Sequence, residues 1–232
     1  MKRKLGAYGG AVRLVNARLV ETALAMVLLL SLAGPAAAQS AGPARLLALG
    51  DSLTAGFGLP EEQAFPARLQ AWLQRQGLTV TVINAGVSGD TSAGGLARLD
   101  WAVGNDPPDY ALVELGANDA LRGLSPAALY DNLDKILSRL QAKRVKVLLT
   151  GMYAPRNYGT DYGKEFDAVY PRLAKAHGVP LYPFFLDGVA GDAALNQADG
   201  LHPNAKGVEA IVDRLGPDVA KLIKGQRIKD PR

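Results

Sequence analysis

The amino-acid sequence predicts an α/β fold, a three-layer α/β/α sandwich on a mainly parallel five-stranded sheet. Two observations carry that expectation. Apolar runs of strand length alternate with longer segments of helical period, and each run ends in a Gly, Asn or Asp turn. The runs are also apolar without alternation, as strands are when helices cover both faces of a sheet.

The first strand is expected at Arg45–Leu49, followed by a helix over Phe65–Arg75. A second strand, Thr79–Ile83, precedes a helical segment at Gly95–Val103, and a third, Tyr110–Leu115, precedes a helix over Pro126–Ala142. Ser125 stands at the N-cap of that helix, with proline at its first position. The fourth strand, Val145–Thr150, leads to a helix over Lys164–His177 that Gly178 stops. His177, at that helix end, is expected to interact with the helix dipole and the exposed carbonyls. After a short strand at Val179–Tyr182, a last helical region spans Asn204–Lys224, with a break expected at Gly216-Pro217. Ligands of such sheets bind outside the carboxyl ends of the strands, so chemistry belongs in the loops that follow them.

Residues 1–38 read as an export signal: a basic start, the apolar run Ala23–Ala33, and the small residues Ala36-Ala37-Ala38, with cleavage before Gln39. The run is too short to span a bilayer, so no stable membrane span is expected in the mature protein, residues 39–232, which reads as one domain. A periplasmic or secreted location follows. The signal holds five of the 26 Lys/Arg and one of the 22 Asp/Glu residues, so 21 of each remain and the net charge falls to about zero. The basic character of the whole chain thus gives no support to a nucleic-acid partner. Cysteine is absent, which excludes disulfides, thiolate catalysis and Cys-ligated zinc. With two histidines, His177 and His202, a histidine-rich metal site is excluded as well.

Four loops carry candidate chemistry. Ser52, in Gly50-Asp51-Ser52-Leu53, follows the first strand and needs a base and oxyanion donors to act as a nucleophile. Asp199-Gly200-Leu201-His202-Pro203 supplies a base whose ring one carboxylate can orient, though taken alone His202 could be a helix-entry residue and Asp199 a turn former. Asn84–Thr91 contains glycines that let backbone N–H groups approach a ligand, and Asn118 offers a neutral amide donor past the third strand. Either could instead be an ordinary connection or cap. Together, the four loops fill the separate roles of acyl transfer.

In these blocks, Gly50–Leu53, Asn84–Thr91, Gly116–Asp119 and Asp199–Pro203, the sequence resembles the SGNH, or GDSL, hydrolase family. The likeness covers essentially the whole mature chain in order and spacing. Through VELGANDALRG, Asn157–Gly159 and Val179–Phe185 it is most similar to the periplasmic branch described as multifunctional acyl-CoA thioesterase, lysophospholipase and arylesterase. The resemblance implies a flavodoxin-like SGNH fold and a serine esterase acting through an acyl-enzyme. It implies Ser52 as nucleophile, Asp199 and His202 as its partners, and Ser52 N–H, Gly89 N–H and Asn118 as oxyanion donors. It needs no metal or organic cofactor, and its partner is a small acyl ester or thioester. Met152–Arg156 departs from the thioesterase-like pattern toward arylesterase members. Leu121, Met152, Tyr153, Ala154 and Asn157 are the expected substrate-binding residues, and their apolar character with that of Leu124 favours acyl chains.

Other classes make different demands. An α/β-hydrolase would use a Gly-x-Ser-x-Gly elbow, which the chain lacks. A carbohydrate O-acetylesterase of the same fold would prefer acetylated sugars. A flavodoxin-like binding module would hold a phosphate-bearing cofactor, yet no Walker-type or GxGxxG loop is present.

Overall fold

The computed structural model describes residues 42–228, so the export signal expected at 1–38 and the cleavage expected before Gln39 lie outside the described residues. Five strands, β1 (Ala44–Gly50), β2 (Val80–Gly86), β3 (Tyr110–Glu114), β4 (Lys146–Thr150) and β5 (Leu181–Tyr182), pair in parallel in the order β2-β1-β3-β4-β5. Connections reverse direction between β1 and β3, which opens a crevice at the carboxyl ends of these strands. The central strands are built from residues that tolerate no water, and Leu46–Leu49 and Ala111–Val113 are wholly buried. β2 and β5 lie at the sheet edges and are only partly buried, so the non-alternating pattern holds for the centre rather than for all five strands.

Helices numbered among the described residues are α1 (Ser52–Ala55), α2 (Phe65–Arg75), α3 (Ser92–Ala97), α4 (Leu99–Val103), α5 (Ala117–Leu121), α6 (Pro126–Ala142), α7 (Thr160–Asp167), α8 (Val169–His177) and α9 (Ala205–Ile223). α2 packs with α9 and β2, and α6 packs with α3 and α8. The bounds of α2 and α6 agree with the sequence reading. In α6 the Ser125 hydroxyl accepts the Ala128 N–H at 3.4 Å, a cap of the kind worth about 1 kcal/mol. Gly178 ends α8 with φ 63°, as expected of a helix stop.

Three expectations are corrected. The segment Gly95–Val103 is two helices, α3 and α4, parted at Arg98, whose guanidinium reaches the Gly50 carbonyl and the Asp90 carboxylate. The segment Lys164–His177 is likewise two, α7 and α8, parted at Ala168. Pro171 has no N–H to give the Asp167 carbonyl, so one continuous helix cannot form there without a lost bond.

The third correction is the opposite case: α9 runs unbroken through Gly216-Pro217. An interior proline costs about 3 kcal/mol. Against that, Val208, Ile211, Val212, Leu215 and Val219 are buried on both sides of it, each worth roughly 1.5–3 kcal/mol. Gly216 serves close packing, since a Cβ there would stand 2.9 Å from the Trp72 indole of α2.

Candidate active site

Ser52 begins α1, immediately past the end of β1. The one-turn helix is set by its cap: the Asp51 carboxylate accepts the Leu53 N–H at 2.9 Å, and Gly56 closes the turn with φ 82°. On the far side of the crevice Asp199-Gly200-Leu201-His202 folds back on itself. Asp199 Oδ1 accepts the N–H groups of Leu201 at 2.9 Å and His202 at 3.0 Å, and its Oδ2 lies 2.7 Å from His202 Nδ1. His202 Nε2 lies 2.9 Å from Ser52 Oγ, across 150 residues of sequence.

The carboxylate at Nδ1 favours the tautomer with its proton on that nitrogen, which leaves the Nε2 lone pair facing the hydroxyl. Three hydrogen bonds, from the His202 N–H, the Leu201 N–H and the His202 ring, hold the Asp199 carboxyl down at about 2. The Phe57 ring tilts over the imidazole at 4.5 Å between centroids.

The donor side is assembled from the loops after β2 and β3. Gly89 has φ 85°, a conformation that disfavours side chains. Arg122 Nη2 donates to its carbonyl at 2.8 Å. Among the described residues, neither the Ser52 nor the Gly89 backbone N–H has an acceptor. Asn118, on α5, donates through Nδ2 to Asp51 Oδ2 at 3.1 Å and to the Asp90 carbonyl at 2.9 Å. The structure therefore brings Ser52, Asn118, Asp199 and His202 into one connected network, with Gly89 one residue from it.

Several supporting residues were not singled out from the sequence. Asp119 is buried and accepts the Ser92 N–H at 2.8 Å and hydroxyl at 2.6 Å, which anchors the glycine loop from below. Arg98 donates to Gly50 O at 2.9 Å and pairs with Asp90 at 2.6 Å, tying the β1 turn to the same loop. Gln197 Nε2 donates to the carbonyls of Phe57 at 2.7 Å and Pro203 at 3.0 Å, and its own N–H reaches His202 O. Asp51 and Asp119 flank motif residues, which is the one signal that could have flagged them; Arg98 and Gln197 carry none. The second loop is also shorter than expected, because Asn84–Gly86 continue β2 in register with Ala48–Gly50. His177 differs from its expected role too. Its ring bonds Asp134 and Gln141 of α6, stapling two helices instead of capping carbonyls.

Of the expected substrate-binding residues, Leu121 and Tyr153 are open to solvent, and Asn157 is exposed in a one-turn 3-10 helix at Arg156–Tyr158. Met152 and Ala154 are corrected: at 5% and 4% exposure they belong to the core and present almost no surface to a ligand. A small recess beside Ser52 is lined by Leu53, Phe57, Leu59 and His202. A larger hollow lies elsewhere, at the amino ends of β4 and β5 beside Val145–Val147 and Gly225–Ile228, and contains none of these groups.

Residues 48–210 match the sequence pattern of the GDSL-like Lipase/Acylhydrolase family. The chain is 40% identical over 209 residues to the Esterase TesA of Pseudomonas aeruginosa, a match covering 90% of this chain and all of that one. It is 40% identical to Thioesterase 1/protease 1/lysophospholipase L1 of Escherichia coli (strain K12), over 80% of this chain and 88% of the relative. The crystal structure of the psychrotrophic esterase EstA from Pseudoalteromonas sp., inhibited by monoethylphosphonate, superposes with a TM-score of 0.74 at 35% identity, covering 78% of this chain and 98% of that one. With its parallel sheet and these matches along most of its length, the chain belongs to the GDSL-like lipase/acylhydrolase family of ester hydrolases.

Proposed function

We propose that the chain is an exported serine esterase that hydrolyses carboxylic esters or thioesters of acyl chains through an acyl-enzyme on Ser52. The observation that carries the reading is the hydrogen-bonded line from Ser52 Oγ through the two His202 ring nitrogens to Asp199, at 2.9 and 2.7 Å. In that reading His202 Nε2 takes the hydroxyl proton as Oγ attacks the substrate carbonyl. The oxyanion is met by the N–H groups of Ser52 and Gly89 and by Asn118. Both Asn118 amide hydrogens are engaged at rest, so one of them leaves Asp51 or Asp90 as the oxyanion forms. Collapse expels the alcohol or thiol, which takes the proton from His202. Water then attacks the acyl-enzyme, giving its proton to His202, and release of the carboxylic acid restores the Ser52 hydroxyl.

Substrate class follows from where the apolar surface lies. Of the eight large apolar side chains left exposed among the described residues, Phe57, Val87, Leu121, Leu124, Tyr153, Tyr158 and Leu201 sit in connections that follow the carboxyl ends of strands, and Trp101 lies on α4. Such a concentration around one crevice suits an acyl chain better than a sugar. The Escherichia coli relative is named a thioesterase, a protease and a lysophospholipase. A phosphonate, as in the EstA structure, is the kind of reagent that an activated serine attacks. Export rests on the basic, apolar and small-residue pattern of residues 1–38. The test is a panel of acyl lengths on p-nitrophenyl, CoA and lysophospholipid leaving groups beside acetylated sugars, with Ser52→Ala as control. Rates that rise with acyl length are expected. A preference for acetylated sugars would overturn the substrate class, and full activity in folded Ser52→Ala would overturn the mechanism.

A further inference from the structure

Behind the Ser52 turn lie two buried carboxyl groups that take no part in bond making, Asp51 and Glu114. Glu114 ends β3 in register with Gly50, the last residue of β1. Its Oε2 accepts the Thr54 hydroxyl at 2.8 Å and the Asp51 N–H at 3.4 Å. One oxygen thus holds the turn on both sides of the nucleophile. The fit is close, since a Cβ on Gly50 would stand 2.6 Å from that oxygen. The other oxygen, Oε1, is buried with no hydrogen-bond partner among the described residues.

The ionisable groups around this pair are mostly acids. Asp51 faces Glu114 from the β1 turn, and Tyr170 of α8, buried with its hydroxyl on the Leu115 carbonyl, feels both carboxyl groups. Asp119 of α5 and His202 act on Asp51. Arg98 reaches the Gly50 carbonyl, and its ion pair is with Asp90 rather than with Glu114. An ionised Glu114 would be a desolvated anion beside a second carboxylate with no counter-cation in contact, the arrangement that burial penalises most.

We propose that Glu114 is a positioning residue for the esterase reaction: as an uncharged acid it pins the Asp51–Thr54 turn and keeps the charge behind the oxyanion donors to the single carboxylate of Asp51. The inference rests on the reading of Ser52 as nucleophile. A second negative charge there would oppose the charge that develops on the substrate carbonyl. Burial, and after it the charge of Asp51, pushes the Glu114 carboxyl well above its ordinary 4.5. Burial pushes Asp51 up as well, against the bonds from Leu53 and Asn118 that favour its anion. Asn118 donates to that same Asp51 carboxylate, so the state of the pair reaches the oxyanion arm directly.

The linkage has a definite sign. A carboxyl raised in the folded state holds a proton that the unfolded chain releases above 4.5. Its contribution to stability is complete below that value and declines as pH rises through the folded value. The test compares wild type, Glu114→Gln, Glu114→Ala and Thr54→Val by Tm from pH 5 to 9 and by kcat and KM on a short p-nitrophenyl ester. Wild-type Tm is expected to fall more steeply with rising pH than that of Glu114→Gln. Glu114→Gln, which keeps the acceptor without the charge, is expected to retain most of kcat. Glu114→Ala and Thr54→Val are expected to lower kcat about 10- to 100-fold with little change in KM, as misplaced catalytic groups do.

Equal pH slopes, or a folded Glu114→Gln that loses as much kcat as Glu114→Ala, would overturn the proposal. Where Glu114→Ala does not fold, the slopes and Thr54→Val decide. The slopes do not depend on which residue is the nucleophile, so their failure is distinct from a failure of Ser52 to react.

Discussion

The two sides of the crevice are held by different means. On the Ser52 side, Asp51, Ser92, Glu114 and Asp119 are buried, and apart from the local Asp51 cap on Leu53 their side-chain hydrogen bonds join residues 27 to 67 positions apart in sequence. On the His202 side, the Asp199 and His202 side chains are 38% and 20% exposed, and the bonds between them span three residues. Nucleophile and donors are thus positioned by tertiary structure, the base by its own loop. Damage to the first side should cost stability together with rate, and damage to the second should cost rate alone.

The largest effect should come from the exposed side. Asp199→Asn removes the carboxylate that sets the His202 tautomer, and kcat is expected to fall roughly 10³- to 10⁴-fold with Tm near neutral pH little changed, checked by steady-state kinetics and calorimetry. Asn118→Ala tests the buried side. Loss of one oxyanion donor should cost about 2.7–4 kcal/mol of transition-state stabilisation, a hundred- to thousand-fold in kcat. Because the same amide bridges Asp51 and Asp90, Tm should fall as well. An unchanged kcat would remove Asn118 from the reaction.

Ser92→Ala should separate scaffold from chemistry further. It leaves Asp119 Oδ1 and the Asn132 amide without their partner and should cost about 1–3 kcal/mol of stability, read by urea unfolding. The smallest effect is expected from Gln197→Ala, which removes the side-chain bonds to the Phe57 and Pro203 carbonyls and keeps the backbone bond to His202. A roughly tenfold fall in kcat is expected, with a smaller change in Tm than in Ser92→Ala because the bond to Phe57 is solvent-exposed. A fall in Tm like that of Ser92→Ala would erase the distinction between the two sides.

Acid pH sharpens the same comparison. Asp199 is held at about 2 against an ordinary 3.8, so its contribution to stability is present above 3.8 and disappears as pH falls toward 2. Relative to Asp199→Asn, the Tm of wild type should therefore fall across that interval.

What the sequence makes legible follows the range of the forces involved. Helices α2 and α6 could be bounded because Arg75-Gln76-Gly77, Ser125-Pro126 and their apolar periods are local signals. Three of the four loops could be assigned because their motifs sit at the end of an apolar strand, and the fourth, Asp199–Pro203, because it pairs a carboxylate with a histidine just before the last helix. Arg98, Gln197 and Glu114 could not, since their partners are 48, 140 and 60 residues away and nothing near them in sequence announces the bond. The continuity of α9 through Pro217 was hidden for a similar reason: burial against Trp72 and the core outweighs a local breaker. Met152 and Ala154 were misplaced because apolar residues in a loop look alike whether they face a ligand or the core.

The most direct measurement is reaction of the folded protein with a fluorophosphonate, with the modified residue mapped by mass spectrometry in wild type and in His202→Ala. A single adduct on Ser52 in wild type, lost or strongly slowed without the imidazole, is expected. An adduct on another side chain, or equal labelling of Ser52 in His202→Ala, would contradict the account.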